Sequence, residues 1–300
     1  MILCTFDIGG TTIKYGIVTQ LGEVIIKSQM DTEARYGGGA IINKIIEKTK
    51  ELKNHYDIDG IAISSAGQID NKEGKVIFAT NTIPNYTGTP IKEILEQQLG
   101  LPVTVENDVN CTALGEYWQG AGKNAEEFIA LTLGTGIGGA IVIDGKIYSG
   151  AYFSAGEFGH MNLYPDGLRC PCGNKGCYEM YASSKALANK IKKVYGEEVD
   201  TFDVFRLAKE GNISANEMID GWVQDMALGL QSIVHIFNPG LIIIGGGISE
   251  QGNFLLEKIQ WQLKKIIMPP FKEKLSIKMA VKGNEANLLG AAYYFINQMN

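Results

Sequence analysis

The chain has 300 residues, 45% of them hydrophobic, and its 27 lysines and arginines against 33 acids leave a net charge of −6. That is enough apolar material for one large domain or two packed ones, and the acidic field argues against nucleic acid or anionic membrane as a partner. No apolar run approaches the roughly 20 residues that cross a bilayer. Residues 1–6 show no basic n-region or cleavage site, so a cytoplasmic protein without a leader is expected.

Residues 2–27 read as strand, Gly-rich turn, strand, turn, strand. The first strand ends at Phe6-Asp7, and the turn is Ile8-Gly9-Gly10-Thr11-Thr12. Glycines here let backbone amides approach a ligand, and successive N–H groups make an anion nest. Thr11 and Thr12 add hydroxyl donors. Taken alone, the turn is equally an ordinary Gly-Gly hairpin.

A helix follows, with Ile41, Ile42, Ile45, Ile46 and Leu52 on one face. Residues 60–67 read as a buried strand ending in a small-residue turn, and residues 68–90 as loop with short extended pieces near Val76. Thr89 as N-cap and Pro90 at the first helical position open another helix, which Gly100 closes. Residues 102–105 form a short strand that runs into Glu106-Asn107-Asp108. The next helix begins near Val109 with Asp108 placed as its N-cap, the commoner role for an isolated Asp at such a position.

Residues 119–127 are polar, which suggests a domain boundary. Beyond them the opening pattern repeats: strand 128–133, the turn Gly134-Thr135-Gly136-Ile137-Gly138-Gly139, strand 140–143, the hairpin turn Asp144-Gly145, and a strand from Lys146. Residues 240–247, ending in Gly245-Gly246-Gly247, echo residues 60–67. The chain therefore contains a two-fold internal repeat with two Gly-rich turns. Gly134, Gly136 and Gly139 also match the dinucleotide pattern G-x-G-x-x-G, but that motif must open a helix, and here it opens a strand. A nicotinamide site is excluded on that ground, and no G-x-x-x-x-G-K-[ST] loop is present.

Residues 157–179 hold three of the five cysteines. The spacing from His160 is His-x9-Cys-x-Cys-x4-Cys, ending at Cys170, Cys172 and Cys177. Three thiolates and an imidazole make a full tetrahedral set for zinc. Gly173 and Gly176 let the chain fold back, and Glu157 and Glu179 bracket the unit. A disulfide, or plain buried thiols, are the competing readings, and the odd cysteine count in a reduced compartment disfavours the disulfide.

Ser183 or Ser184 then caps a helix running to Gly196. Residues 197–221 look like short helices in a polar insertion, and residues 222–237 like one long apolar helix ended by Asn238-Pro239-Gly240. A helix over roughly 251–267, a strand over 275–281 and a closing helix over 284–299 complete the chain.

Taken together, Asp7-Ile-Gly-Gly-Thr-Thr-Ile-Lys14, Glu106-Asn-Asp108, Leu133-Gly-Thr-Gly-Ile-Gly-Gly139, Glu157-Phe-Gly-His160 and the Cys170 to Cys177 motif resemble the ROK family (repressors, open reading frames, kinases) over essentially the whole chain. The resemblance implies an α/β fold of the actin-like ATPase (ribonuclease-H-like) type, duplicated into two domains around a central cleft. The expected domains are 1–118 and 119–285, with the helix 286–300 packing back on the first. It also implies ATP-dependent phosphorylation of a hexose or N-acetylhexosamine at the 6-hydroxyl. Glucose or N-acetylmannosamine leads, with β-glucosides or fructose as further options.

Carried over residue by residue, Asp108 is the general base. Asn107, Asp108, Glu157, His160 and Glu179, with weaker matches at Gly67 and Thr80, contact the sugar. Asp7, Gly9, Gly10, Thr11, Thr12, Lys14, Gly134, Thr135, Gly136 and Gly138 face ATP with its Mg²⁺, and Gly245, Gly246 and Gly247 form the adenosine-side loop. His160, Cys170, Cys172 and Cys177 hold a structural Zn²⁺. Repressors of the family carry a helix-turn-helix domain ahead of the first strand. Here that strand starts at residue 2 and the chain is acidic, so a kinase is expected over a sugar-sensing regulator. A homo-oligomer, most simply a dimer, is expected, and no nucleic-acid or membrane partner.

Overall fold

The computed structural model describes residues 1–299. In chain order its elements are β1 (Ile2–Ile8), β2 (Thr12–Thr19), β3 (Val24–Asp31), α1 (Gly37–Lys53), β4 (Gly60–Ser65), β5 (Gln68–Asp70), β6 (Lys75–Phe78), α2 (Ile91–Leu99), β7 (Val103–Asn107) and α3 (Asp108–Gln119). There follow β8 (Glu127–Leu133), β9 (Ile137–Ile143), β10 (Lys146–Ile147), α4 (Glu179–Ala182), α5 (Ser184–Tyr195), α6 (Thr201–Lys209), α7 (Ile213–Phe237), β11 (Leu241–Gly245), α8 (Asn253–Ile266), α9 (Pro269–Lys272), β12 (Ser276–Met279) and α10 (Ala286–Met299). Asn300, the last residue of the expected closing helix, lies outside the described residues.

Contacts divide the chain into two compact units. The first contains Met1–Glu126, Ile141–Ala155 and the chain from Asn284 on, and the second contains Glu127–Ala140 and Gly156–Gly283. The two five-stranded sheets have the orders β3-β2-β1-β4-β7 and β10-β9-β8-β11-β12. Each is therefore ordered third, second, first, fourth, fifth. The fourth strand joins the first in parallel, and the fifth joins the fourth in parallel, in both sheets. The repeat visible in the Gly-rich turns is thus a repeat of topology.

In the first unit, strand alternation decides what each face carries. Cys4, Phe6 and Ile8 of β1 pack with Ile41, Ile45 and Leu52 of α1 and Leu95 of α2. Leu3, from the alternate set, packs with Ala62, with Cys111 of α3 and with Leu289, Ala292 and Phe295 of α10. Asp7 follows Leu3 in register two pleats on, so it reaches the α3/α10 side. α3 and α10 meet at backbone contact, since a Cβ on Gly115 would overlap the Ala286 carbonyl and one on Gly290 the Cys111 carbonyl.

The second unit is built around α7, whose Trp222 is fully buried and donates its indole N–H to the Ser183 carbonyl at 3.1 Å. α7 starts at Ile213, nine residues before the expected position. Asn212 caps it, accepting from the Ala215 amide at 3.0 Å, and Ala215 and Ile219 extend the buried face backwards. The supposed polar insertion is therefore α6 plus the first turns of α7. Thr89 does not cap α2. Pro90 takes the N-cap position with φ −85° and ψ 77°, and it is bridged to Lys75 ahead of the helix. Ser183, not Ser184, caps α5.

Candidate active site

In the first unit, Asp7 and Lys14 face each other across the β1–β2 ladder. The Asp7 carboxylate is buried. Its Oδ1 accepts from Ser64 Oγ at 2.7 Å and from Asn287 Nδ2 at 2.8 Å, while Lys14 Nζ lies 3.9 Å from Oδ2. Asn287 is itself held by Thr112 Oγ1 at 2.6 Å, and Lys14 donates to Asn284 Oδ1 at 2.9 Å. Ser64, Asn284 and Asn287 escaped the sequence reading. The available signal was a pair of asparagines, Asn284 just ahead of the last helix and Asn287 in its first turn.

The turn between these strands is braced by Thr32, whose Oγ1 donates to the Gly9 carbonyl at 2.7 Å and whose amide donates to the Thr11 carbonyl at 2.8 Å. Among the described residues no backbone acceptor is assigned to the Gly10 or Thr11 amide, which leaves two adjacent donors for an anion. A Cβ on Gly10 would come within 2.7 Å of Thr82 Cγ2. Thr80, expected at the sugar, is exposed and hydrogen-bonded to Thr82 at 3.0 Å. The structure thus links it to the neighbourhood of Gly10.

Asp108 is the first residue of α3, and its cap is Asn107, a correction to the sequence reading. Asn107 has the extended backbone of a cap (φ −64°, ψ 148°), and its Oδ1 accepts from the Val109 amide at 2.9 Å and the Asn110 amide at 3.1 Å. Its Nδ2 donates to the Gly67 carbonyl and to Asp108 Oδ1, both at 2.9 Å. Gly67, Asn107 and Asp108 are thereby joined. Asp108 Oδ1 also accepts from the Val109 amide at 3.0 Å, which leaves Oδ2 as the freer oxygen. Loss of solvent, and then the negative charge of Asp7, push the Asp108 carboxyl up to about 7, against the pull of the Val109 and Asn107 hydrogen bonds. A carboxylate tuned near neutrality is suited to accept a proton.

Glu106, also missed as a functional residue, supports this corner. It is 1% exposed, and burial holds its carboxyl above the usual range. Oε1 accepts from the Asn107 amide at 2.8 Å and Asn110 Nδ2 at 2.9 Å, and Oε2 accepts from Asn71 Nδ2 at 2.7 Å.

In the second unit, the β8–β9 turn closes with the Gly134 amide donating to the Gly136 carbonyl at 3.0 Å. The start of α5 braces it, with Ser184 Oγ donating to the Leu133 carbonyl at 3.0 Å and the Lys185 amide to the Gly134 carbonyl at 3.2 Å. As expected, β9 is a strand, so Gly134, Thr135, Gly136 and Gly138 belong to a hairpin. A Cβ on Gly136 would overlap the Glu179 carboxylate. Gly245 ends β11. Gly246, at φ 89°, lies so close to the Leu133 carbonyl that a Cβ would overlap it, and Gly247 starts a short helical turn.

The metal candidates converge. The ligand atoms of His160, Cys170, Cys172 and Cys177 all lie within 4.8 Å of one another. Cys172 and Cys177 Sγ are 3.6 Å apart, and Cys170 Sγ is 3.8 Å from His160 Nδ1. Zn–S bonds of about 2.3 Å in a tetrahedron require edges of about 3.8 Å, so the donor set fits a closed zinc site. Burial raises the Cys170 and Cys177 thiols, while the Asn174 backbone amide lowers Cys172. Buried thiols clustered this way ionise readily once a cation is among them. No disulfide is formed. Gly173 (φ 98°) and Gly176 (φ 74°) make the reversal, and buried Tyr178 fixes it to α7 by donating to the Met226 carbonyl at 2.8 Å.

Glu157 and Glu179 stand on either side of His160. Nε2 is 3.9 Å from Glu157 Oε2, and Nδ1 is 3.8 Å from Glu179 Oε1. Glu179 Oε1 also accepts from Cys170 Sγ at 3.1 Å. A ring fixed through Nδ1 presents Nε2 beside a carboxylate, the paired donor and acceptor that suit a vicinal diol. Among the described residues no helix is long and apolar enough to cross a membrane.

The ROK family profile matches residues 3–298. The chain is 34% identical over 300 residues to a glucokinase of Thermotoga maritima, covering 95% of this chain and 94% of that protein. It is 32% identical over 308 residues to a β-glucoside kinase of Listeria monocytogenes, covering 100% and 99%. Among solved structures, a ROK family glucokinase from Streptomyces griseus in complex with glucose and AMPPNP superposes with a TM-score of 0.84 at 32% identity, covering 97% and 98% of the two chains.

Proposed function

The chain belongs to the ROK family, and from that premise we propose that it is an ATP-dependent sugar kinase acting on the 6-hydroxyl of a hexose or N-acetylhexosamine. The two like-ordered sheets are those of the actin-like ATPase fold. The observation that carries the proposal is Asp108. It is a carboxylate tuned to about 7 with one oxygen pinned, in the same unit as the Gly9-to-Thr12 turn with its two adjacent amide donors.

Phosphoryl transfer needs positioning, charge neutralisation and an acceptor for the hydroxyl proton. Asp108 takes that proton as the sugar oxygen bonds to the γ-phosphorus and the bond to ADP breaks. Asn107 orients Asp108. Glu157, His160 and Glu179 hold sugar hydroxyls. The amides at Gly10 and Thr11, with Lys14, receive phosphate oxygens, and the Gly134-to-Gly138 and Gly245-to-Gly247 turns serve the nucleotide. Asp7 has a carboxylate oxygen available to hold magnesium, which supplies further neutralisation when bound with ATP.

The test is a coupled ADP-release screen over glucose, N-acetylglucosamine, N-acetylmannosamine, mannose, fructose and a β-glucoside. Saturable release with one of them supports the reading. Sugar binding without ADP release from any would make the protein a sensor instead. Turnover should rise with pH through about 7 and level off above it, since only ionised Asp108 accepts a proton. A kcat/KM that stays flat from about pH 5 to 9 would assign the base to another group.

The two turns should respond differently to a side chain. In Gly10→Val the new methyls meet Thr82, which can turn aside, so the loss should fall on ATP, with KM for ATP raised about tenfold or more. In Gly136→Val they meet the Glu179 carboxylate, so sugar affinity should fall along with ATP affinity. Calorimetric titration of both variants with AMPPNP and sugar separates the outcomes. Normal AMPPNP binding in both would remove the turns from the phosphate site.

A further inference from the structure

At the β7 edge of the first sheet lies a cavity of about 460 Å³ that the reaction above does not use. Lys72, Lys92 and Lys146 line it together with Asn71, Tyr293 and Tyr294. Among the described residues no aspartate or glutamate side chain lines it. Among the described residues the lysine ion pairs lie elsewhere, and none of these three lysines takes part in one. In a chain of net charge −6, three lysines around one cavity, none of them in an ion pair among the described residues, give an incoming anion a positive wall. Ser149 and the tyrosines add neutral polar groups, and Leu114 and Ile147 add apolar wall. The volume falls in the range of small-metabolite sites. The walls therefore match a short carbon skeleton carrying phosphate and carboxylate or hydroxyl oxygens.

The floor of this cavity is wired to Asp108. Tyr294 donates its hydroxyl to the Asn71 carbonyl at 3.4 Å, and Asn71 Nδ2 reaches Ser149 Oγ at 3.4 Å and Glu106 Oε2 at 2.7 Å. The other Glu106 oxygen accepts from the Asn107 amide at 2.8 Å. Asn107 in turn caps α3 and donates to Asp108. A ligand that draws on Asn71, Ser149 or Tyr294 shifts the hydrogen bonds that orient the fully buried Glu106, and with it the Asn107 cap.

We propose that this cavity binds a small organic phosphate and that Asn71, Glu106 and Asn107 transmit its occupancy to Asp108, making it an effector site for turnover. Only the effect on turnover rests on the kinase reading; binding does not.

The experiment titrates 3-phosphoglycerate, and separately inorganic phosphate, into the full chain by calorimetry. AMPPNP and the best sugar from the screen are present throughout, so that the phosphate subsites of the catalytic centre are filled. The comparison protein carries Lys92→Gln and Lys146→Gln. For 3-phosphoglycerate we expect a Kd below about 1 mM in the wild type, at least tenfold tighter than in the double variant (about 1.4 kcal/mol). In steady-state assays 3-phosphoglycerate should change kcat at least about twofold in the wild type and leave the double variant unmoved, while the two proteins share the same kcat without it. No binding of either probe, or equal binding by both proteins, would overturn the site. Inorganic phosphate binding as tightly as 3-phosphoglycerate would overturn the organic ligand. Binding that leaves kcat and its pH profile unchanged would overturn the coupling. Should the chain transfer no phosphate to any sugar, the binding arm would still decide the site, because it needs no turnover.

Discussion

Asp108→Asn should lower kcat by about 10²- to 10⁴-fold, or about 3–5.5 kcal/mol of barrier, with sugar affinity little changed. Asn keeps the size of the side chain and an oxygen that can accept the Val109 amide and Asn107 Nδ2, but it cannot take a proton. Because Asn107 rather than Asp108 is the cap, α3 loses nothing of its N-terminal hydrogen bonding. The substitution also carries a stability signature that a merely damaging change lacks. The folded-state value of about 7 lies above the ordinary 3.8, so Asp108 favours folding while protonated. That contribution is complete below about pH 4 and is lost as pH rises through about 7. The neutral amide removes the penalty, so the variant should melt above the wild type at pH 8, an advantage that shrinks towards pH 4. Steady-state kinetics and thermal melts at both pH values check the two halves. A variant within about tenfold of wild-type kcat, a barrier change under about 1.4 kcal/mol, would place the base elsewhere.

Cys172→Ser should strip the metal and most of the sugar affinity while sparing ATP. Cys172 is the exposed cysteine of the cluster, so the replacement leaves no buried cavity, and what is lost can be attributed to the ligand rather than to packing. The four side-chain donors would fill a tetrahedral zinc site and leave no position for a catalytic water. Its effect on function would pass through His160, whose Nδ1 lies 3.8 Å from Cys170 Sγ and whose Nε2 faces Glu157, so that a zinc held there would orient the ring. Without zinc the ring turns freely and residues 157–179 lose their cross-link. Sugar Kd should rise about tenfold or more, as second-shell and ligand losses commonly do, and the melting temperature should drop, since metal binding is linked to the folded state. Metal content by atomic emission, with sugar and AMPPNP titrations on both proteins, gives the readout. Wild-type protein isolated without chelators should contain one zinc per chain. Full-rate turnover in a zinc-free wild type would end this account.

Much of this protein was legible because its chemistry is local in sequence. The two Gly-rich turns, the short strand that runs into Glu106-Asn107-Asp108 and the His160-to-Cys177 spacing each depend on residues a few positions apart. Turn conformation and ligand spacing are set by neighbours along the chain. The duplication was legible for the same reason, because the order of strands and turns repeats and both sheets then assemble in the same order. Three things needed the tertiary structure. Asn107 rather than Asp108 caps α3 because β7 holds Asn107 extended up to the helix start, which two adjacent cap-forming residues do not reveal. Asn284 and Asn287 reach Lys14 and Asp7 from more than 250 residues away, a contact set by α10 packing on the odd-numbered face of β1. The value of about 7 at Asp108 arises from burial and from Asp7, on a separate strand. Charge, composition and spacing fix what a side chain can do, but desolvation and long-range hydrogen bonds decide its proton affinity, and both exist only once the sheet and its covering helices have closed over it.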